Sequence, residues 1–242
     1  MPDKFILRRK NLVENPTARV PVCLVLDCSP SMGGDPKFGS AQLETNPRPI
    51  DALNEGVRSF YKALNADPVA RYAAEVAVIR FSTIQETVRD FAPIESETPP
   101  HLELEVPPAG THLGKAVLLG LKILDARKKE YQDAGVDYFQ PWLVLMTDGK
   151  PTAGDECEDG ARAVNERIQQ GKLTIFPLGI GAGADMSVLQ AFSPKKPALR
   201  LRGLRFAEFF EWLSKSVSQV SNSMPGEKVT LDLEGIKSWA EL

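Results

Sequence analysis

The sequence predicts an α/β domain: a doubly wound, Rossmann-like, mostly parallel sheet with helices on both faces and one antiparallel edge strand. Three observations carry this. Residues 22–26 (VCLVL), 142–147 (WLVLMT) and 173–180 are short, nearly continuous apolar runs, the pattern of strands covered on both faces. Between them lie stretches whose apolar residues recur at helical spacing, and strands alternating with amphipathic helices define the α/β class. The first two runs also stop abruptly in polar turns, where open α/β sheets place their binding sites.

In chain order, residues 1–19 are polar and contain Asn15-Pro16, an extended lead-in rather than a domain. The domain proper is expected over 20–223 and a tail over 224–242. After the first strand, residues 33–49 form a loop rich in Gly, Pro and Asn, of a length usually reserved for function. Leu53, Val57, Phe60, Tyr61 and Leu64 make a helical stripe over 50–65, ended by Pro68. Residues 73–81 and 85–91 read as an antiparallel hairpin. The stretch 92–109 carries five prolines and must be mostly irregular, with 101–106 (HLELEV) alternating as a short edge strand.

Thr111 opens a helix with Leu113, Ala116, Val117, Leu121 and Leu124 on one face, and its hydroxyl is placed to cap it. Helices over 156–170, 185–192 and 206–220 follow, with Asp185 an N-cap and Gly171 a stop. A short strand falls at 198–201, and the alternation over 228–233 suits a tail strand docking on the sheet. Trp142, Phe209, Phe210 and Trp212 have core spacing.

Composition narrows the function classes. The 242 residues include 43% hydrophobic and 25% charged, ordinary for a soluble globular protein. A net charge of -3 provides no basic field of the kind nucleic acid requires. No apolar run approaches the roughly 18 residues that span a bilayer. The N-terminus lacks the apolar core of a secretory signal. Three cysteines, Cys23, Cys28 and Cys157, are an odd number without metal-ligand spacing. The expectation is a reduced, cytoplasmic protein without nucleic-acid or membrane partners.

The chemistry concentrates at two strand ends. Asp27-x-Ser29-x-Ser31 delivers three oxygen donors from one tight turn, and oxygen-only ligation suits a hard cation such as magnesium. Alone the motif is weak, because such residues also populate turns for local hydrogen bonding. If the first strand and 142–147 lie side by side at the switch point, Asp148 comes beside it. Thr111, in the Gly110-Thr111 turn, then adds a third hydroxyl from a neighbouring loop.

Asp27-x-Ser29-x-Ser31, Thr111 after a proline-rich loop, and Thr147-Asp148-Gly149 together resemble the metal-ion-dependent adhesion site of von Willebrand factor A domains, a resemblance spanning almost the whole chain. Residues 139–142 (FQPW), 146–152 (MTDGKPT), 206–214 (FAEFFEWLS) and the tail from Pro225-Gly226 are similar to the stand-alone bacterial members of the tellurium-resistance TerY/YegL type. The resemblance implies Mg2+, with Mn2+ or Ca2+ as substitutes, held by Ser29, Ser31 and, in one state, Thr111. Asp27 and Asp148 then act mainly through water and hydrogen bonds. It also implies a protein partner donating Asp or Glu to the metal. The chain departs from the family where Pro30 replaces the usual glycine and where the loop 35–48 is longer, a candidate for partner specificity.

Other motifs carry less. Gly179-x-Gly181-x-Gly183 lacks dinucleotide-loop spacing, and residues 110–115 are one short of a phosphate loop, with Ala116 where Ser or Thr is needed. His112 and His101 are read as loop histidines. With no candidate base, nucleophile pair or oxyanion array, the expected function is a cation-dependent protein-interaction module rather than an enzyme, within a stress-response or tellurium-resistance-type system by analogy. The rivals are a magnesium-dependent phosphohydrolase, which lacks a second acid where Ser29 stands, and a structural domain whose metal braces its loops.

Overall fold

Val20–Asp27 is buried along its whole length and forms β1, an interior strand of the sheet. The computed structural model describes residues 12, 14–34, 47–94, 98–103, 110–227, 229–231 and 235–241. On one side β1 pairs in parallel with β2 (Ala74–Phe81), and on the other with β4 (Trp142–Thr147). β5 (Thr174–Ile180) and β6 (Leu199–Leu201) extend the parallel array beyond β4. β3 (Gln85–Arg89) lies antiparallel against β2, and β7 (Ala240–Glu241) antiparallel against β6. The order β3-β2-β1-β4-β5-β6-β7 reverses direction between β1 and β4, so the predicted doubly wound topology is the one observed.

Both faces are covered, which is why these strands read as unbroken apolar runs. Val20, Val22, Leu24 and Leu26 of β1 join the core under α1 (Pro49–Ala66), the short α2 (Ala70–Ala73) and α6 (Phe206–Ser221). Cys23 and Val25 point to the other face, under α3 (Leu113–Ala134), α4 (Cys157–Gln169) and α5 (Met186–Phe192). Pro177 is tolerated inside β5 because β6 pairs only from Leu178 onward. The N–H of Thr174 donates to Pro141 on the β4 side, so alternation turns the missing donor of Pro177 toward the side where pairing has not begun.

Trp142, Phe209, Phe210 and Trp212 are buried as expected, and Trp239 of the tail joins them edge-on against Phe209 with ring centroids 5.4 Å apart. At the opposite end of the sheet from the polar turns, Glu75 is buried between Arg127 at 2.7 Å and Arg19 at 3.2 Å. Tyr131 donates to the same carboxylate at 2.6 Å. This network ties the lead-in residue Arg19 to β2 and α3. No helix among the described residues is long and apolar enough to cross a membrane.

Three details differ from expectation. The sheet has two antiparallel edges, because Ala240–Glu241 pairs with β6. A two-residue strand is too short to leave a pattern. Of the predicted tail strand over 228–233, residues 229–231 carry no strand pairing and the remainder lie outside the described residues. The edge strand predicted over 101–106 is likewise absent at 101–103, where Leu102 instead exchanges two hydrogen bonds with the side chain of Asn54. Residues 104–106 lie outside the described residues, as do 35–46 of the loop read as a candidate for partner specificity.

Candidate metal centre

The site begins where β1 runs out of apolar residues. Asp27 is fully buried, and its carboxylate spans two loops: Oδ1 accepts the Ser29 N–H at 2.8 Å and Oδ2 accepts the Thr147 hydroxyl at 2.5 Å. Ser29 stays extended, and Pro30 opens a 3-10 turn, Pro30–Gly33, that its ring-fixed φ suits. Gly34 closes the turn at φ 77°, a left-handed conformation glycine adopts without cost, and donates to Ser31 O at 3.0 Å. The proline that departs from the usual glycine therefore sits at an ordinary turn position. Cys28 and Met32 are buried, Cys28 packing inward rather than toward the turn's polar side chains.

This geometry aligns the hydroxyls. Ser29 Oγ and Ser31 Oγ lie 2.9 Å apart, and Ser31 Oγ donates to Asp148 Oδ1 at 2.7 Å, joining the ends of β1 and β4 across the switch point. Thr111 is 8% exposed, and a Cβ placed on Gly149 would lie 3.4 Å from its Oγ1, so the third hydroxyl faces the Asp148-Gly149 turn. The structure thus brings Asp27, Ser29, Ser31 and Asp148 into one hydrogen-bonded cluster, with Thr111 beside it.

The electrostatics leave that cluster incomplete. Burial, and then the charge of Asp27, push the Asp148 carboxyl up to about 7. Burial also raises Asp27, against the lowering hydrogen bonds from Ser29 and Thr147. Asp148 Oδ2 is buried without a hydrogen-bond partner among the described residues. Two carboxylates close together in a dry setting, one with a bare oxygen, are what a bound cation would neutralise. Two carboxylates and three hydroxyls form an all-oxygen donor set, which fits a hard divalent ion. Among the described residues no group of three or more His, Cys, Asp or Glu is placed to hold a metal, so the hydroxyls are essential to any such site.

Several supporting residues were given no role of their own by sequence reasoning. Thr147 fixes Asp27; its signal was a hydroxyl closing an otherwise apolar strand. The helix cap expected of Thr111 comes instead from Asp155, whose carboxylate accepts the N–H groups of Gly114 at 2.7 Å and Lys115 at 3.3 Å. A cap supplied from another loop leaves no local pattern. Thr152 accepts the Thr111 N–H at 2.7 Å, and its own N–H donates to Thr111 O at 3.0 Å. His112 is half-buried and its N–H donates to Ser82 O at 2.9 Å, while His101 is exposed and distant in role. Of the Gly179-x-Gly181-x-Gly183 stretch, Gly179 packs against Met186 of α5 and against Ala184, while Gly183 is exposed.

Residues 22–208 match the family model described as von Willebrand factor type A domain. No curated protein matches the sequence. Among solved structures, the chain is similar to proximal thread matrix protein 1 from the mussel byssus with a zinc-occupied MIDAS motif. They share 17% identity at a TM-score of 0.52, over 85% of this chain and 48% of that one. It is also similar to the conserved hypothetical protein BatB from Bacteroides thetaiotaomicron (16% identity, TM-score 0.54, 84% of this chain and 100% of that one). A third is the vWF domain of the type V pili tip protein Mfa5 from Porphyromonas gingivalis (10% identity, TM-score 0.55, 88% and 99%). The chain spans about half the length of the mussel protein it matches. At these identities the likeness is one of fold.

Proposed function

Because the chain belongs to the von Willebrand factor type A domain family, we propose that it is a divalent-cation-dependent protein-interaction module without catalytic activity of its own. The observation that carries this reading is Asp148 Oδ2, buried without a hydrogen-bond partner among the described residues, in an oxygen-lined cluster fed by three loops. Ser29, Ser31 and Thr111 would hold a magnesium ion directly, with Asp27 and Asp148 acting through hydrogen bonds and water. Manganese or calcium would substitute. Bound there, the ion supplies an electrophilic position that a carboxylate from a partner protein completes, since magnesium keeps exchangeable positions in its shell. The mussel protein with a zinc-occupied motif on the same fold supports a metal at this place.

Both oxygens of Asp27 are engaged by Ser29 and Thr147, and the residue is fully buried. That favours a scaffold role for Asp27 over that of a phosphohydrolase nucleophile. The motifs at 139–142, 146–152 and 206–214 support a finer placement among the TerY/YegL-type members, and with it a bacterial stress-response or tellurium-resistance-type setting in the cytoplasm. Capture of partners from native lysate on immobilised protein tests the proposal. Partners should be retained in Mg2+, and lost in chelator and with Asp27→Ala. Equal retention in chelator contradicts the proposal, and metal-dependent stabilisation without any metal-dependent partner favours the loop-bracing role instead.

A further inference from the structure

The segment that carries Thr111 is held with unusual completeness. The N–H of Gly110 donates to Thr83 Oγ1 at 2.7 Å and that of His112 to Ser82 O at 2.9 Å. Both acceptors lie in the β2–β3 turn, where the Ser82 hydroxyl also donates to Gly110 O at 2.8 Å. From the other flank, Thr152 and Asp155 take the N–H groups of Thr111, Gly114 and Lys115. The loop after β4, which starts with Asp148, thus grips the Thr111 segment through reciprocal bonds between Thr111 and Thr152. Close packing reinforces the grip. A Cβ on Gly110 would lie 2.6 Å from Thr152 Oγ1, and one on Gly114 would lie 2.2 Å from the Glu156 backbone.

The geometry points to Thr152 as a positioning residue of the cation site: its hydroxyl locks the Thr111 and Asp148 loops into one rigid half-site, which the Ser29-Ser31 turn completes. This rests on the metal reading above, and it adds a residue outside the five expected site residues. The physical reason is pre-organisation. Thr111 and Asp148 approach the cation from different loops, so each would otherwise have to be ordered when the ion binds. With the Thr111 N–H paired to Thr152 Oγ1, that ordering is complete beforehand. Removing the acceptor leaves a buried donor unpaired and frees the segment to shift.

Mn2+ titration of the full chain, read by paramagnetic resonance, tests this. Thr152→Val keeps the shape and removes the acceptor. It should weaken Mn2+ binding by roughly five- to tenfold, the factor set by one hydrogen bond of typical net strength. Thr152→Ser, which keeps the hydroxyl, should bind within about twofold of wild type. A Thr152→Val protein that binds as tightly as wild type overturns the inference, as does a Thr152→Ser protein weakened equally. A wild-type chain that binds no Mn2+ overturns the metal reading itself, so the two failures are separable. Hydrogen exchange on the unmutated chain needs no variant to fold. Mg2+ should slow the Thr111, Gly114 and Thr152 amides together. Slowing at Thr111 without Thr152 contradicts a shared half-site.

Discussion

At the scale of single residues, the site is a balance between two buried acids and the groups that face them. Asp27 has both oxygens satisfied, whereas Asp148 has one oxygen on Ser31 and one without a partner among the described residues. The sign of the consequence follows from linkage. Asp148 titrates at about 7 in the fold and at an ordinary 3.8 in its absence, so the metal-free folded chain holds its proton more tightly than the unfolded one. The stability this group contributes is full below about pH 4 and is lost as pH rises through about 7. In chelator, the wild-type Tm should therefore fall between pH 5 and pH 8 relative to that of Asp148→Asn, which cannot ionise there. Each kilocalorie of the difference is worth about 2–4 °C in a chain of this size. Mg2+ at pH 8 should recover the loss by standing in for the proton. Parallel melting curves for wild type and Asp148→Asn in chelator would contradict the buried-pair account.

At the scale of elements, the site depends on how closely α3 and α4 start together. Gly114, in the first turn of α3, lies against the backbone of Glu156 and Cys157, and a Cβ there would come within 2.2 Å of main-chain atoms that cannot swing aside. Gly120, two turns on, would bring its Cβ only to 3.3 Å from the Leu143 and Val25 side chains. Gly114→Ala should thus cost at least the ~1–3 kcal/mol typical of overpacking, and Gly120→Ala markedly less. Because α3 leads out of the Thr111 turn, Gly114→Ala should also weaken cation binding, whereas Gly120→Ala should leave it near wild type. Thermal melts with Mn2+ titrations on the two variants decide it; equal effects would mean that the α3–α4 contact does not control the site.

At the scale of the whole molecule, the parts of the fold and site that could be read early are those in which one physical pressure acts on consecutive residues. β1 and β4 were legible because helices on both faces demand unbroken apolar runs, and the turns after them because polar groups emerge where that pressure ends. Asp27, Ser29, Ser31, Thr111 and Asp148 could be named because spacing and chain order matched a known motif. Asp155, Thr152 and Ser82 could not, since each acts on a loop far away in sequence and has no local signature. The β7 pairing escaped for a related reason: Ala240–Glu241 is held by β6 and by the burial of Trp239, not by any periodicity of its own. The mostly parallel sheet brings the ends of β1 and β4 side by side, with Thr111 beside the Asp148-Gly149 turn. In the proposed reading, this geometry makes one divalent-cation site. Calorimetric titration of Mg2+ into the intact chain and into Ser31→Ala and Asp148→Ala tests it most directly. A single site is expected in the wild type, weakened or lost in both variants; no Mg2+ binding by the wild type, or unaltered binding by the variants, would contradict it.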